Sequence, residues 1–255
     1  MKIFLSALEG AKLNKTINVA DILIKEDVKL KWNLMSYYYI RDKNDELAQR
    51  IRDYSEQILI DSGAHSFQFG KKVDWIKYTK EYASFIQKFD QPKVIGYFEM
   101  DVENIIGIEK VLYLRSILEN VSDKIIPVWH PLRGINNFEE MCDKYKGKII
   151  AIGGFAKTDI RDEQFAMFLK VARKYGCKVH CLGMTREKIL QKIPFDYVDS
   201  STWVQSTVYG RIDNKTRVPM SFTKNHRDRL YVENYKVWLQ KQKRYYDLWR
   251  KECND

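Results

Sequence analysis

The sequence predicts an α/β fold, a (β/α)₈ TIM barrel, as a single domain covering residues 1–255 with a basic C-terminal segment and a closing helix. The chain has 255 residues, a usual length for one such barrel. Eight short runs are rich in β-branched and aromatic residues. The segments between them carry apolar residues at three- and four-residue spacing, which is typical of amphipathic helices.

The eight apolar runs are the candidates for barrel strands. Near-continuous apolar strands that alternate with helices are typical of a parallel sheet covered on its faces, and eight such units favour closure into a barrel over an open sheet. The segments 73–89 and 162–176 show the helical pattern between strands. The predicted strands are residues 2–8, 33–40, 58–64, 94–101, 124–130, 148–155, 178–184 and 196–203.

Cysteine usage and hydropathy exclude several classes of protein. The four cysteines form no CxxC pair, so they predict reduced thiols in a cytoplasmic protein. Cys177, His180 and Cys181 lie on or beside an apolar run, and we expect them to be buried packing residues and not metal ligands. No apolar stretch approaches roughly 18 residues, so neither a membrane span nor a membrane partner is expected.

The formal net charge of +10 is concentrated near the C-terminus. Residues 204–255 contain twelve Lys and Arg against six Asp and Glu. Such an excess fits either a solvated basic face or a surface for a polyanionic partner. A helix predicted from about Leu230 to Lys251 carries an aromatic and apolar stripe. We interpret this stripe as the packing face of a closing helix and not as a base-stacking platform.

The residues that end the predicted strands indicate an active site, because the carboxyl ends of barrel strands form the catalytic mouth in this fold. Carboxylates and glycines recur there, which suits acid–base chemistry beside a flat ligand that approaches the backbone closely. The strand-end candidates are Asp61, Ser62, Glu99, Asp101, His130, Gly153, Gly154, Gly183, Met184 and Asp199.

Each candidate also has a purely structural interpretation. Asp61 could form an Asx turn with the residues that follow it. The Gly153-Gly154 pair could permit close packing of a strand and a helix, Asp199 could belong to an N-cap cluster, and His130 could be a satisfied strand-end histidine. The functional interpretation is favoured because all of these residues fall on one rim of the predicted barrel.

Five segments resemble, in order and spacing, the successive motifs of the tRNA-guanine transglycosylase superfamily. They are DSGAHSFQ (61–68), YFEMDVE (97–103), IAIGGFAK (150–157), HCLGMT (180–185) and FDYVDSSTW (195–203). The resemblance covers roughly residues 55–210. It implies a glycosyltransferase that exchanges guanine in a nucleic acid for a 7-deazaguanine base similar to preQ0.

The resemblance implies a role for each motif residue. Asp199 would be the nucleophile that attacks C1′ of the sugar, and Asp61 would be the general acid and base. This division suits a double displacement through a covalent sugar–carboxylate intermediate. Asp101 would bind the Watson–Crick edge of the base, with Trp129, Phe155 and Trp203 as candidates for excluding water. The other implied base-binding residues are Ser62, Phe67, His130, Gly153, Gly154, Gly183 and Met184.

The chain departs from the family in three ways. The tRNA-acting members carry a Cys/Cys/Cys/His zinc subdomain after the last motif, whereas here only His226 and Cys253 follow it. Zinc and other cofactors are therefore not expected, and monomer or homodimer stays open. His65 precedes Phe67 in the first motif, which leaves open which of the two stacks on the base. His130 stands where the family usually has Gln.

The chain is similar in character to the phage and bacterial members that act on DNA, so DNA is the expected polymer and tRNA the alternative. The target guanine would have to leave the base stack to reach the barrel mouth. We expect steeply salt-dependent DNA binding by basic residues after the last motif. These residues are Arg211, Lys215, Arg217, Lys224, Arg227 and Arg229.

Two other functional classes stay open. The first is a metal-dependent barrel hydrolase with ligands among the strand-end acids and His130. It is disfavoured because such sites need several histidines at strand ends. The second is a non-catalytic nucleic-acid-binding barrel, which would keep the basic segment but tolerate loss of the acids.

Overall fold

A computed structural model describes residues 1–14, 17–41, 45–67, 73–153 and 162–253, apart from the side chains of Asp45 and of residues 223–225. Its parallel strands form a (β/α)₈ barrel, as the sequence predicts. The strands are β1 (Lys2–Ser6), β2 (Leu30–Ser36), β3 (Ser55–Asp61), β4 (Val94–Phe98), β5 (Ile125–Ile126 and Val128–Trp129), β6 (Ile149–Ile152), β7 (Lys178–Cys181) and β8 (Tyr197–Ser200).

Two features complete the barrel: the pairing of β1 with both β2 and β8, and the interrupted strand β5, which joins β4 to β6. β1 lies between β2 and β8, with Leu5 opposite Asn33 on one side and Phe4 opposite Asp199 on the other. β5 is interrupted at Pro127, because proline has no N–H to donate to a ladder. Its first segment pairs with β4 and its second with β6, while the Pro127 carbonyl accepts a 2.9 Å hydrogen bond from Ala151 N.

Helices cover the outside of the barrel. They are α1 (Val19–Lys25), α2 (Tyr37–Ile40), α3 (Asp45–Tyr54), α4 (Trp75–Phe89), α5 (Glu103–Ile106), α6 (Ile108–Glu119), α7 (Gly134–Lys144), α8 (Gln164–Lys174), α9 (Glu187–Leu190), α10 (Thr202–Val208), α11 (Met220–Asn225) and α12 (Arg227–Trp249). Short 3₁₀ turns span Ala64–Phe67 and Pro131–Arg133, and an antiparallel hairpin joins β9 (Arg211–Ile212) to β10 (Thr216–Arg217).

The second strand differs in extent from its predicted run. The second run was placed at 33–40, but β2 ends at Ser36 and Tyr37–Ile40 forms α2. Tyr37 packs against Tyr78 and Tyr82 of α4 outside the barrel, so its aromatic character serves helix packing instead of the sheet. Aromatic runs satisfy strand and buried-helix patterns alike, which explains the difference.

The closing helix is confirmed and lies slightly earlier than predicted, at Arg227–Trp249. Its buried face includes Tyr235 and Tyr245. Gln242 Nε2 donates to the carbonyl oxygens of Ile3 and Trp32, at 2.7 and 3.1 Å, and so satisfies strand backbone groups near the amino end of the barrel. The aromatic stripe therefore packs on the barrel, as interpreted from the sequence.

Strand alternation organises the barrel interior. Side chains two residues apart on a strand point to the same face. The middle of the barrel is an apolar cluster separate from the outer core, formed by Phe4, Trp32, Leu34, Leu59, Phe98, Ile126, Val128, Ala151 and Tyr197. Two positions beyond members of this cluster come Ser6, Ser36, Asp61, His130, Gly153 and Asp199. The apolar layer therefore lies directly beneath the polar residues at the carboxyl ends of the strands.

Candidate active site

A cavity of about 470 Å³ opens at the carboxyl ends of the strands, large enough for a purine with its sugar. Four carboxyl groups line it: Glu9, Asp61, Asp101 and Asp199. Among the described residues, no lysine or arginine lines it. The other lining residues are Ser6, Ala7, Leu34, Ser36, Tyr39, His65, Ser66, Gly153, Leu182, Gly183 and Ser201.

Asp199 lies near the end of β8 and receives two hydrogen bonds on one oxygen. Gly183 N donates to Oδ1 over 2.7 Å, and His180 Nε2 lies 3.0 Å from the same atom. Gly183 has a φ of +66°, a left-handed conformation that glycine adopts without strain. Donors directed at a carboxylate oxygen stabilise its negative charge. The two contacts to Oδ1 therefore hold the Asp199 side chain in a fixed orientation.

Asp61 ends β3 in a different environment. Its Oδ2 accepts a 3.0 Å hydrogen bond from Gly63 N, so the Asx turn considered from the sequence is present. Burial, with smaller contributions from the charges of Asp101 and Asp199, raises the pKa of Asp61 to about 7 against the effect of this hydrogen bond. A carboxyl with a pKa near neutrality can both give and take a proton.

The loop after β3 is held tightly against the end of β2. A Cβ at Gly63 would lie 2.4 Å from Tyr38 Cβ and 2.7 Å from Ser36 Oγ, and Gly63 has a φ of +72°. Both the space and the backbone conformation therefore require glycine. This close approach positions the Gly63 N–H that binds Asp61.

Asp101 and His130 form a hydrogen-bonded pair across β4 and β5. Asp101 Oδ1 lies 2.6 Å from His130 Nε2. Burial disfavours the charged imidazole, but the hydrogen bond and the charge of Asp101 outweigh it, so the pKa of His130 is raised. A Cβ at Gly153 would lie 3.0 Å from His130 Cε1, so the glycine leaves room for this ring. His130 is thus a partner of Asp101 and, unlike the prediction from the sequence, is not among the residues that line the cavity.

Glu9 is a cavity residue that the strand-end motifs did not identify. It is 1% exposed, its Oε1 accepts a 2.9 Å hydrogen bond from Ser36 N, and its Oε2 has no hydrogen-bond partner within the described part of the chain. Burial raises the pKa of Glu9 to about 7, against the effect of the Ser36 hydrogen bond. Ala7, two residues before Glu9, has a φ of +70°, a strained conformation for a residue with a Cβ. An acid shortly after β1 was the available sequence signal.

Several predicted base-binding residues do not line the cavity. Phe67 is 8% exposed and packs edge-on against Tyr38 and Tyr78, whereas His65 lies on the cavity wall. Ser62 is buried and its carbonyl accepts a hydrogen bond from Tyr78. Met184 is buried in the outer core, so Leu182 and Gly183 form the wall in its place. Gly154 and Phe155 lie outside the described residues.

The outward-facing residues of the strand ends have structural roles. Glu99 follows the inward-facing Phe98 and so points out of the barrel, where both its oxygens bind Arg115 at 2.5 and 2.9 Å. It therefore does not join the cavity acids. Trp129 packs on Phe138 and Phe168, and Trp203 packs on Tyr231 and Tyr235. Neither tryptophan lines the cavity, so neither shields it from water.

Two of the predicted basic residues, Lys215 and Arg229, line separate grooves. Lys215 lies by Thr185 and Thr202, next to the cavity rim, and its Nζ is 3.6 Å from Glu187. Arg229 lines a separate groove beside Glu26 at the end of α1. Arg211, Arg217 and Arg227 are exposed, and the side chain of Lys224 lies outside the described part of the chain.

Within the described ranges, no group of three or more His, Cys, Asp or Glu side chains is arranged to hold a metal ion. The four cysteines are free and buried. Cys177, His180 and Cys181 are buried as predicted, although His180 also contacts Asp199. No helix in the described ranges is long and apolar enough to cross a membrane.

Comparisons with known proteins support the fold. No protein-family model matches the chain, and no curated protein matches it. A solved structure from Coccidioides immitis, described as a fructose-1,6-biphosphate aldolase, has a TM-score of 0.53 and 11% identity, covering 94% of this chain and 89% of that one. A structure from Aquifex aeolicus VF5 has a TM-score of 0.50 and 11% identity, covering 92% and 93%. At this identity the similarity shows the barrel fold alone.

Proposed function

We propose that this protein is a glycosyltransferase that exchanges guanine in DNA for a 7-deazaguanine base, as its similarity to the tRNA-guanine transglycosylase motifs implies. The observation that carries the proposal is the inequality of Asp61 and Asp199 within one cavity. Asp199 receives two hydrogen bonds on Oδ1, while burial raises the pKa of Asp61 to about 7. Base exchange at one sugar needs one carboxylate to attack and another carboxyl to move a proton.

In this mechanism Asp199 attacks C1′ while Asp61 protonates the leaving guanine. The incoming base then gives a proton to Asp61 and displaces Asp199 from the sugar. Asp101 and Gly153, which line one wall of the cavity, bind the base. A carboxylate accepts from the N1–H and amino group of a guanine-like edge, and the His130 ring orients that carboxylate.

The proposal also specifies which nucleic acid is the substrate. Lys215 beside the cavity rim, together with exposed Arg211 and Arg217 on the neighbouring hairpin, supports a polyanionic substrate. DNA follows from the similarity to the DNA-acting members, and tRNA is the alternative outcome. Zinc and other cofactors have no part in this mechanism.

Labelled guanine tests the proposal directly. The protein is incubated with labelled guanine and, separately, with double-stranded DNA, single-stranded DNA or bulk tRNA, and label in the recovered polymer is counted. We expect uptake into DNA and none into tRNA. Uptake into tRNA alone would overturn the choice of polymer, and uptake into no polymer would overturn base exchange.

Matched variants assign the chemistry. Asp199→Asn should abolish uptake and any covalent protein–polymer adduct that survives denaturation. Asp143→Asn, on an exposed surface pair with Lys146, should leave uptake unchanged. If Asp199→Asn retains full uptake, the nucleophile assignment is wrong.

A further inference from the structure

His180 is a buried polar residue that packing alone does not explain. It lies in the apolar middle layer, with the rings of Phe4, Phe98 and Tyr197 at centroid distances of 6.3, 5.0 and 6.4 Å. Its Nε2 is 3.0 Å from Asp199 Oδ1, whereas its Nδ1 has no partner within the described part of the chain. Because a carboxylate oxygen accepts, this geometry places the ring proton on Nε2.

His180 and Gly183 both donate a hydrogen bond to the same oxygen of Asp199, Oδ1. His180 approaches from the strand beside Asp199, and the Gly183 N–H approaches from the loop two residues beyond the end of β7 over 2.7 Å. A carboxylate can otherwise rotate about its Cβ–Cγ bond and present either oxygen. Two hydrogen bonds to Oδ1 resist that rotation, so Oδ2 is the oxygen left to react.

We infer that His180 is a positioning residue that, together with the Gly183 N–H, binds Asp199 Oδ1 and thereby assigns the attack on C1′ to Oδ2. This inference rests on the proposed base exchange. In the first displacement the Oδ2–C1′ bond forms, and the bond from C1′ to the guanine nitrogen breaks with its electrons leaving on the base. Asp61 supplies the proton that neutralises the departing guanine.

The second displacement reverses these events with the new base. The incoming base transfers a proton to Asp61, its nitrogen forms a bond to C1′, and the C1′–Oδ2 bond breaks to return the Asp199 carboxylate. No oxidant, reductant or metal enters the balance. His180 keeps its proton throughout, because it acts by holding Oδ1 and not by proton transfer.

Two substitutions at one position separate donation from packing. His180→Phe keeps an aromatic ring without a donor, and His180→Gln keeps an N–H donor. In single-turnover reactions on the polymer that the wild type modifies, His180→Phe should slow adduct formation by about 10- to 100-fold, the range found when partners that orient metal ligands are removed. The steady-state KM should change little. His180→Gln should recover most of that rate. Equal loss in both variants, or a wild-type rate in His180→Phe, would overturn the inference.

Phe98→Leu is the packing control, because Phe98 touches the same ring and carries no polar group. It should lower Tm without slowing adduct formation. An equal slowing of adduct formation in Phe98→Leu would show that packing, and not donation, sets the rate.

A measurement independent of activity distinguishes this inference from the proposed function. Nitrogen-15 NMR of His180 should show the proton on Nε2 in the wild type, and Asp199→Ala should abolish the hydrogen-bonded proton signal. If the wild type modifies no polymer, the proposed function fails while this spectrum still decides whether His180 holds Asp199. A wild-type ring with its proton on Nδ1 and none on Nε2 would overturn the inference by itself.

Discussion

The inner and outer faces of the barrel strand ends both bury carboxyl groups, but they treat them differently. On the outer face, Glu99 is 1% exposed and pairs with Arg115 through two hydrogen bonds. On the inner face, Glu9, Asp61, Asp101 and Asp199 share one cavity whose described lining contains no lysine or arginine. Burial raises the pKa values of Glu99, Glu9 and Asp61 alike. Glu99 has a buried arginine partner, whereas the described cavity lining gives Glu9 and Asp61 no such cation, which suits proton-transfer chemistry.

The largest expected effect comes from breaking the outer pair. Arg115→Met leaves Glu99 buried without its cation and removes a donor to Tyr145, so it should cost about 3–5 kcal/mol of unfolding free energy in urea titrations. The double variant Glu99→Leu/Arg115→Met should recover much of this loss.

Arg50→Ala provides the surface control, because Arg50 and Asp21 form an exposed pair at 3.1 Å. The Arg50→Ala substitution should change the unfolding free energy by no more than about 1 kcal/mol. If Arg115→Met costs no more than Arg50→Ala, the outer pair does not have the structural role assigned to it.

An intermediate effect is expected from the inner acids as pH changes. The pKa of Asp61 rises from 3.8 to about 7 on folding. Between these values the folded state holds a proton that the unfolded state has lost, so this group's contribution to stability falls as pH rises from about 4 to 7 and stays low above that. Asp61→Asn should therefore lose less Tm than the wild type between pH 5 and pH 8.

Glu9→Gln should also lose less Tm than the wild type between pH 5 and pH 8, because the pKa of Glu9 rises from 4.5 to about 7 on folding. Asp143→Asn should show the wild-type loss in Tm. Identical pH dependence in the wild type and Asp61→Asn would contradict the raised pKa of Asp61.

The smallest expected effect separates two aromatic neighbours in the first motif. His65 lines the cavity, so His65→Ala should raise KM for base exchange by about 10-fold, in line with the loss of one stacking contact, and leave Tm unchanged. Phe67 lies in the outer core, so Phe67→Leu should lower Tm and leave KM unchanged. The reverse pattern would assign the stacking role to Phe67.

The strand order and most of the mouth were predictable from sequence. Strand ends identify Asp61, Asp101, His130 and Asp199, because apolar runs followed by acids or histidine mark where parallel strands stop. Glu99 shows where this procedure fails. It directly follows the inward-facing Phe98, and a shift of one position on a strand moves a side chain to the opposite face.

Loop residues were the least predictable part. Glu9 belongs to the loop after β1, and its place in the cavity depends on the left-handed conformation of Ala7 and on the contact with Ser36. His65 and Phe67 are two residues apart in a 3₁₀ turn, yet one lines the cavity and the other is buried. The side-chain directions of these loop residues cannot be predicted from sequence spacing, since loops lack the regular periodicity of strands and helices.

The sequence by itself determined the eight-fold alternation of strands and helices, the closing helix and the clustering of acids at strand ends. Hydrophobic periodicity carries that information residue by residue. Only the tertiary structure decided which acids face inward. It also decided that Asp199 receives the hydrogen bonds of His180 and Gly183, and that the pKa of Asp61 is raised. Those properties depend on burial and on neighbours from other strands, which come together only when the barrel closes.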